Sequence, residues 1–248
     1  MCAGPRAAVG TWPKTEIKGA VVPMARSHDM LAEAAPDLAA DRAAALRSTP
    51  VSRETLTRLD SFVALLLRTQ RHTNLIGPAT VPELWTRHIA DSLQLLDLAP
   101  EARTWLDLGT GGGFPGLVIA CAIADRSGAV AHLVDSNGKK AAFLRHVASE
   151  LRLPVQVHEQ RIEQFTGAVD ADVITARAVA PLNKLFGYVA PLLKSGAKAL
   201  LLKGQDVEAE LTEAAKYWNI EADLVASRTH PAGRIVAVRA LGRRAHQP

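Results

Sequence analysis

Cysteine is almost missing from this sequence: Cys2 and Cys121 are the only two in 248 residues. Two isolated thiols cannot make a disulfide framework or a zinc site, so no metal is expected, and Cys121 falls in an apolar, helix-like run that suits a buried structural thiol. Long apolar stretches are missing as well. No run reaches the roughly 18 residues that a membrane span needs. The first stretch also lacks the apolar core and small-residue cleavage site of a signal peptide, which makes the cytoplasm the expected compartment and leaves no role for a membrane. Aromatic residues are scarce, at 4%, but hydrophobic residues reach 48% against 22% charged, the balance of a chain that folds around its own core. There is no internal repeat and no low-complexity tract. Net charge is +4, with a pI near 9.3. That excess is compatible with a polyanionic partner, whose phosphates Lys and Arg neutralise, without requiring one.

Three regions differ in texture. Residues 1–26 mix Gly, Pro and charges with no apolar period and read as a disordered leader, within and beyond which Met24 and Met30 offer alternative starts. Residues 27–99 read as a helical appendage. From Ser52, a suitable cap, Leu56, Leu59, Phe62, Val63, Leu66 and Leu67 recur at helical spacing. A second helix is expected from Pro82, burying Trp85, Ile89, Leu93 and Leu96, with Leu84, His88 and Leu95 beside that stripe. After Pro100 short apolar runs alternate with helical patterns, the signature of βαβ units. Strands are expected at residues 105–108, 130–134, 155–157, 172–175 and 199–202, with two more near 220–226 and 234–240. Helices fit at about residues 114–124, 138–152, 182–194 and 206–218, so residues 100–248 form the cofactor-binding domain.

The first of these strands ends Leu106-Asp107-Leu108 and runs into Gly109-Thr110-Gly111-Gly112-Gly113-Phe114-Pro115-Gly116. Glycines let a backbone turn sharply and approach a ligand closely, and the helix behind them offers free N–H groups. Two registers compete. Residues 109, 111 and 113 read G-x-G-x-G, whereas 111, 113 and 116 read G-x-G-x-x-G, the dinucleotide fingerprint. Asp107, inside the strand, suits a cationic sulfonium and amino group better than a pyrophosphate. Asp135 closes the second strand 26 positions after Gly109, where its carboxylate can accept from both ribose hydroxyls or cap the next helix. An NAD(P)-dependent oxidoreductase with a Rossmann loop is the alternative. It needs a proton-transfer group such as a Tyr followed four residues later by Lys, and neither Tyr188 nor Tyr217 supplies one.

With this loop in place the chain resembles the RsmG (GidB) family, bacterial 16S ribosomal RNA guanine-N7 methyltransferases. Further matching segments follow in order: Asn74-Leu75, Arg87-His88-Ile89, Asp91-Ser92-Leu93, Asp135-Ser136, Gly138-Lys139-Lys140, Arg161-Ile162-Glu163, Ala176-Arg177-Ala178 and Leu202-Lys203-Gly204-Gln205. They span roughly residues 50–240. The resemblance implies a Rossmann-like class I methyltransferase fold of the α/β class, a mostly parallel seven-stranded sheet with helices on both faces, plus the helical appendage. It implies S-adenosyl-L-methionine as cofactor and 16S rRNA or the small ribosomal subunit as partner. Gly109, Gly111, Phe114, Ile162, Glu163 and Arg177 are then expected at the cofactor, with Asp135 on the ribose. Phe114 and Ile162 read equally well as core residues, and Glu163 as a partner of Arg161.

Methyl transfer from a sulfonium is an in-line displacement, which asks the enzyme for alignment and exclusion of water. Guanine N7 carries a free lone pair, so no general base is expected, and no His-carboxylate or Cys-centred constellation stands out among the eight histidines. Arg177 and Lys203, at the ends of the fourth and fifth strands, are the candidates for positioning guanine, with a structural salt bridge as the plainer reading. His88, beside Arg87 and Trp85, reads either as part of an RNA-docking helix or as a satisfied interior histidine. A cofactor-binding RNA module without catalysis also fits these residues.

Overall fold

The computed structural model describes residues 36–165, 169–193 and 196–244. The expected leader, with Cys2, Met24 and Met30, lies outside the described residues. The first element, helix α1 (Pro36–Ser48), was not anticipated from the pattern, because five alanines supply helix propensity without an apolar stripe and only Leu38 and Ala45 are buried core residues along it. Polar contacts distant in sequence hold it. Arg42 makes a two-pronged pair with Asp60, at 2.8 and 2.7 Å. Asp41 accepts from the Trp85 N–H at 2.7 Å and also from the backbone and hydroxyl of Thr86.

Helix α2 (Arg53–Gln70) is capped as expected: the Ser52 hydroxyl accepts from the Thr55 N–H at 3.1 Å. Leu59, Phe62, Val63 and Leu66 form its buried face, while Leu56 and Leu67 lie at the margin. The next helix, α3, covers residues 85–98 rather than starting at Pro82. It opens as a wide π-helical stretch, Trp85–Ala90, continues through Asp91–Leu93 and tightens into a 3₁₀ end, Gln94–Leu98. Asp41 caps the exposed N–H groups at its first turn, so a contact from α1 sets where the helix begins. Trp85, Ile89 and Leu93 are buried, as are Leu84, His88 and Leu95, so the stripe is wider than a single row of side chains.

Seven strands follow: β1 (Thr104–Leu108), β2 (Val130–Asp135), β3 (Val155–Glu159), β4 (Val173–Arg177), β5 (Lys198–Lys203), β6 (Trp218–Ala226) and β7 (Arg234–Arg243). Between them lie α4 (Gly116–Ile123), α5 (Gly138–Glu150), α6 (Leu182–Val189) and α7 (Val207–Ala214). They form one sheet in the order β3-β2-β1-β4-β5-β7-β6, with β1 to β5 parallel and β7 antiparallel between β5 and β6. The chain reverses its direction of sheet growth between β1 and β4, and ligands of open α/β sheets bind in the crevice at such a switch point.

Side chains alternate across β1. Trp105 joins a core that includes α2, α3, α4 and α5, whereas Leu106 and Leu108 join a second core with α6 and α7. Helices therefore cover both faces. The appendage has no separate core: the Phe62 ring lies 5.3 Å from Phe114 and 6.5 Å from Phe143 on the sheet side. The change of texture near residue 100 marks a change of secondary structure within one continuous packing unit.

Because Phe62 is fully buried where α2 meets the glycine loop and α5, Phe62→Ala is expected to lower the unfolding free energy by about 3 to 5 kcal/mol, read from urea unfolding curves.

Candidate functional site

The glycine loop begins at the tip of β1, where the N–H groups of Gly109 and Thr110 both donate to the Val134 carbonyl, at 2.8 and 3.1 Å. Gly109 has φ of +71°, and a Cβ there would fall 2.7 Å from Val179 Cγ2, so conformation and space both require glycine. At the loop's exit the Gly116 N–H donates to Asp107 Oδ2 at 3.0 Å, and a Cβ on Gly116 would sit 2.3 Å from Leu133 Cδ2. The other oxygen, Asp107 Oδ1, accepts from the Thr175 hydroxyl at 2.8 Å. The Asp107 side chain is thus enclosed, not turned toward a sulfonium as its place in the sequence suggested. It lies between the N-terminus of α4 and β4, where both oxygens are occupied. Burial pushes its pKa up to about 6, against the pull of its hydrogen bonds from Thr175, Thr110 and Gly116.

Beside the loop opens a cavity of about 230 Å³. Gly109 forms its floor, with Asp135 and Ser136 from the end of β2, Arg161, Ile162 and Glu163 from the turn after β3, Val179 and Ala180 after β4, and Lys184 and Tyr188 from α6. Asp135 Oδ2 accepts from the Gly111 N–H at 2.8 Å and Oδ1 from the Asn137 N–H at 2.8 Å. The cap of α5 is Asn137, which accepts from Lys139 and Lys140 N–H. Asp135 therefore fastens the loop while lining the cavity. Glu163, on the 3₁₀ turn Ile162–Gln164, accepts from the Tyr188 hydroxyl at 2.7 Å, and that bond holds its carboxyl below the usual range.

Four expected residues, Gly109, Asp135, Ile162 and Glu163, meet in this cavity, and Gly111 reaches it through its bond to Asp135. Phe114 and Arg177 do not line it. Phe114 is buried on the appendage side of the loop, 4.9 Å from the His88 ring, and the Arg177 guanidinium stacks 5.3 Å over it. Arg177 also donates to the Arg87 carbonyl at 3.0 Å and lies 3.6 Å from Asp91. Its contact with His88 Nδ1, at 2.5 Å, assigns the tautomer. A guanidinium only donates, so Nδ1 accepts and Nε2 carries the hydrogen that Thr80 Oγ1 accepts at 2.8 Å. Burial first, then the neighbouring Arg177 charge, push His88 down to about 3, so it is a neutral interior histidine. Asp91 completes the clasp by accepting from Gln94 Nε2 and the Thr229 hydroxyl, both at 2.8 Å, which joins α3 to the β6–β7 turn.

Lys203 follows the salt-bridge reading. Its ammonium pairs with Glu210 at 2.6 Å and donates to the Ala180 carbonyl at 3.2 Å, bracing the cavity wall from behind. Beside the apolar Val179 and Ala180, Lys184 and Tyr188 are the polar wall residues that sequence reasoning missed. They lie one turn apart on α6, and their only sequence signal is that four-residue spacing. On the other side, the turn after α2 rests on the glycine loop. Gln70 Oε1 accepts from Leu75 and Ile76 N–H at 2.8 and 3.1 Å, and a Cβ on Gly112 would fall 2.9 Å from the Leu75 carbonyl. Among the described residues there is no cluster of His, Cys, Asp or Glu suited to a metal, and no helix is long and apolar enough to cross a membrane.

A carboxyl whose pKa rises from 3.8 to about 6 on folding keeps its proton in the native state after the unfolded chain has lost it. Stability from this group is therefore greatest below about pH 4 and falls by about 3 kcal/mol as pH rises to about 6. Asp107→Asn is expected to remove that dependence. Urea unfolding across this range should show the variant gaining on the natural protein as pH rises, and parallel profiles would contradict the assignment.

The family described as GidB, rRNA small subunit methyltransferase G, matches residues 55–234, from α2 into β7. A protein of Bradyrhizobium sp. (strain BTAi1 / ATCC BAA-1182) is 60% identical over 205 residues, covering 81% of this chain and 91% of its own length. One from Rhodopseudomonas palustris (strain BisA53) is 62% identical over 206 residues, covering 81% and 87%. Both are named ribosomal RNA small subunit methyltransferase G. Among solved structures, a point mutant of MtNAS superposes with a TM-score of 0.51 at 14% identity, covering 73% of this chain and 72% of that one. Cofactor-bound Rv0187 from MTB gives 0.50 at 15%, covering 74% and 90%. These two likenesses concern the fold alone. Nothing in the comparisons supports the oxidoreductase alternative. Since the family match takes in α2 from residue 55, α3 and every strand end that lines the cavity, the chain belongs to the rRNA small subunit methyltransferase G family.

Proposed function

We propose that this protein transfers the methyl group of S-adenosyl-L-methionine to N7 of a guanine in the 16S rRNA of the small ribosomal subunit, in the cytoplasm. The observation that carries the cofactor assignment is the pair of acids at the cavity. Asp135 at the tip of β2 and Glu163 after β3 flank Gly109 at the switch point of the sheet. Carboxylates only accept hydrogen bonds, so they select a ligand rich in donors, as the ribose hydroxyls and amino groups of an adenosyl compound are, and disfavour a pyrophosphate. The bound cofactor supplies an electrophilic methyl on a sulfonium. Gly109 leaves room for it, Asp135 accepts from the ribose, and Ile162 and Glu163 border the adenine.

N7 attacks through its own lone pair, so the chain needs no base beside it. Chemistry through Cys121 as a nucleophile does not fit. Cys121 is fully buried in α4, and burial pushes its thiol up to about 12, which removes the thiolate at neutral pH. Arg177 and Lys203 serve the guanine indirectly, Arg177 by clasping α3 against the loop and Lys203 by bracing Ala180. For a polyanionic substrate the rim is favourable: Lys140 Nζ lies within 3.9 Å of the position a Gly111 Cβ would take, and Arg71 and His72 stand exposed on the neighbouring turn.

Labelled S-adenosyl-L-methionine supplied with small subunits lacking the modification should give 7-methylguanine in 16S rRNA, and no incorporation would overturn the assignment. Asp135→Ala removes charged hydrogen bonds to the ligand and frees the Gly111 N–H. It should weaken S-adenosylhomocysteine binding by about 10- to 100-fold in isothermal titration, with the cooperative fold retained.

A further inference from the structure

One wall of the cavity comes from α6, through two residues that no expectation covered. The Tyr188 hydroxyl donates to Glu163 Oε1 at 2.7 Å. Lys184, one turn earlier, places its ammonium 5.7 Å from the Tyr188 ring centroid and against the same hydroxyl. The Tyr188 hydroxyl thus ends on a carboxylate, with the Lys184 charge over its ring and drawing on the same Glu163. Glu163 projects from a three-residue 3₁₀ turn and is exposed, so without this bond its side chain would sample several rotamers. Its carboxylate also draws on its own backbone N–H and on the charges of Lys184 and Arg161. The result is an acceptor held at a fixed place in the cavity wall.

We infer that Tyr188 is a positioning residue which fixes Glu163 to accept from the 6-amino group of adenine, so that the pocket distinguishes adenine from a 6-oxo purine. The inference rests on the reading of the cavity as the S-adenosyl-L-methionine site. An adenosyl ligand has two sets of donors that an acid can meet, the ribose hydroxyls and the 6-amino group. Asp135, fastened to the glycine loop and the turn after β2, takes the first set. Glu163 lies on the neighbouring strand's turn, where the base extends beyond the ribose, and takes the second. A 6-oxo purine presents an acceptor there, and two acceptors facing each other across a short gap repel. A pocket that hydrogen-bonds one substituent in this way rejects its analogue more strongly than an apolar wall could.

The test is isothermal titration of the full chain with S-adenosylhomocysteine and with its hypoxanthine analogue, S-inosylhomocysteine. The natural protein should prefer the adenine compound. Tyr188→Phe, which keeps the ring against the cavity, should weaken S-adenosylhomocysteine by about tenfold and S-inosylhomocysteine by less than about twofold. In a Glu163→Ala background the same change should have no further effect on the preference, because the group through which Tyr188 acts is gone. Equal weakening of both ligands by Tyr188→Phe would show a wall residue only and overturn the proposal, as would unchanged affinity for both. If the natural protein binds neither compound, the cofactor reading itself fails, an outcome distinct from a lost preference.

Discussion

Asp107 holds the glycine loop from inside the fold. Its carboxylate joins the N-terminus of α4, through Gly116, to β4, through Thr175, while its carbonyl accepts from the Thr110 hydroxyl. A buried acid is costly unless it is hydrogen-bonded, and these bonds are what make its burial tolerable. Gly116 has to lack a side chain because Leu133 and the same carboxylate occupy the space a Cβ would take. The glycines at 109 and 116 thus answer different demands: the first keeps the cavity floor open toward Val179 and Ile162, and the second lets the helix start close against the sheet. A loop of this kind binds a ligand because its backbone is already in place before the ligand arrives.

The loop has two sides. Gly109 and the Asp135 carboxylate that holds Gly111 face the cavity, with the acids of β2 and the β3 turn. Phe114 and Gly112 face the appendage, with Phe62, His88 and the turn at Leu75. Arg177 ends β4 between these sides and is committed to the second one, through Arg87, His88 and Asp91. Burial, with the Arg177 charge second, keeps His88 neutral, and its unprotonated Nδ1 can then accept from the guanidinium.

The sheet was legible in the sequence because the parallel strands β1, β2, β4 and β5, buried on both faces, are short, nearly continuous apolar runs, while β3 and β6 alternate apolar and polar residues. Helix α1 was not, since Asp41 and Arg42 hold it through partners 18 to 45 positions away, and periodicity carries no trace of such contacts. At the site, Gly109, Asp135, Ile162 and Glu163 meet in one cavity because strand ends in this topology converge. Phe114 and Arg177, which the resemblance implies at the cofactor, lie on the appendage side of the loop and outside this cavity, and no motif says which side of a loop a side chain takes. Asp107 misled because β1 is buried on both faces, so a side chain within the strand is enclosed whichever way it points. Tyr188 and Lys184 carry no motif at all, and only the approach of α6 to the turn after β3 brings them to Glu163.

The contact between Gly112 and the Leu75 carbonyl links two parts of the chain that the sequence separates by more than thirty residues. Gln70 fixes the height of that turn by bonding the N–H groups of residues 75 and 76 and the carbonyl of Ile76. In an exchange of modules between relatives, the appendage could not be grafted as an independent cassette joined at residue 100. The turn after α2 and the third glycine of the loop form one mould and its cast, and a hybrid would have to inherit both from the same parent.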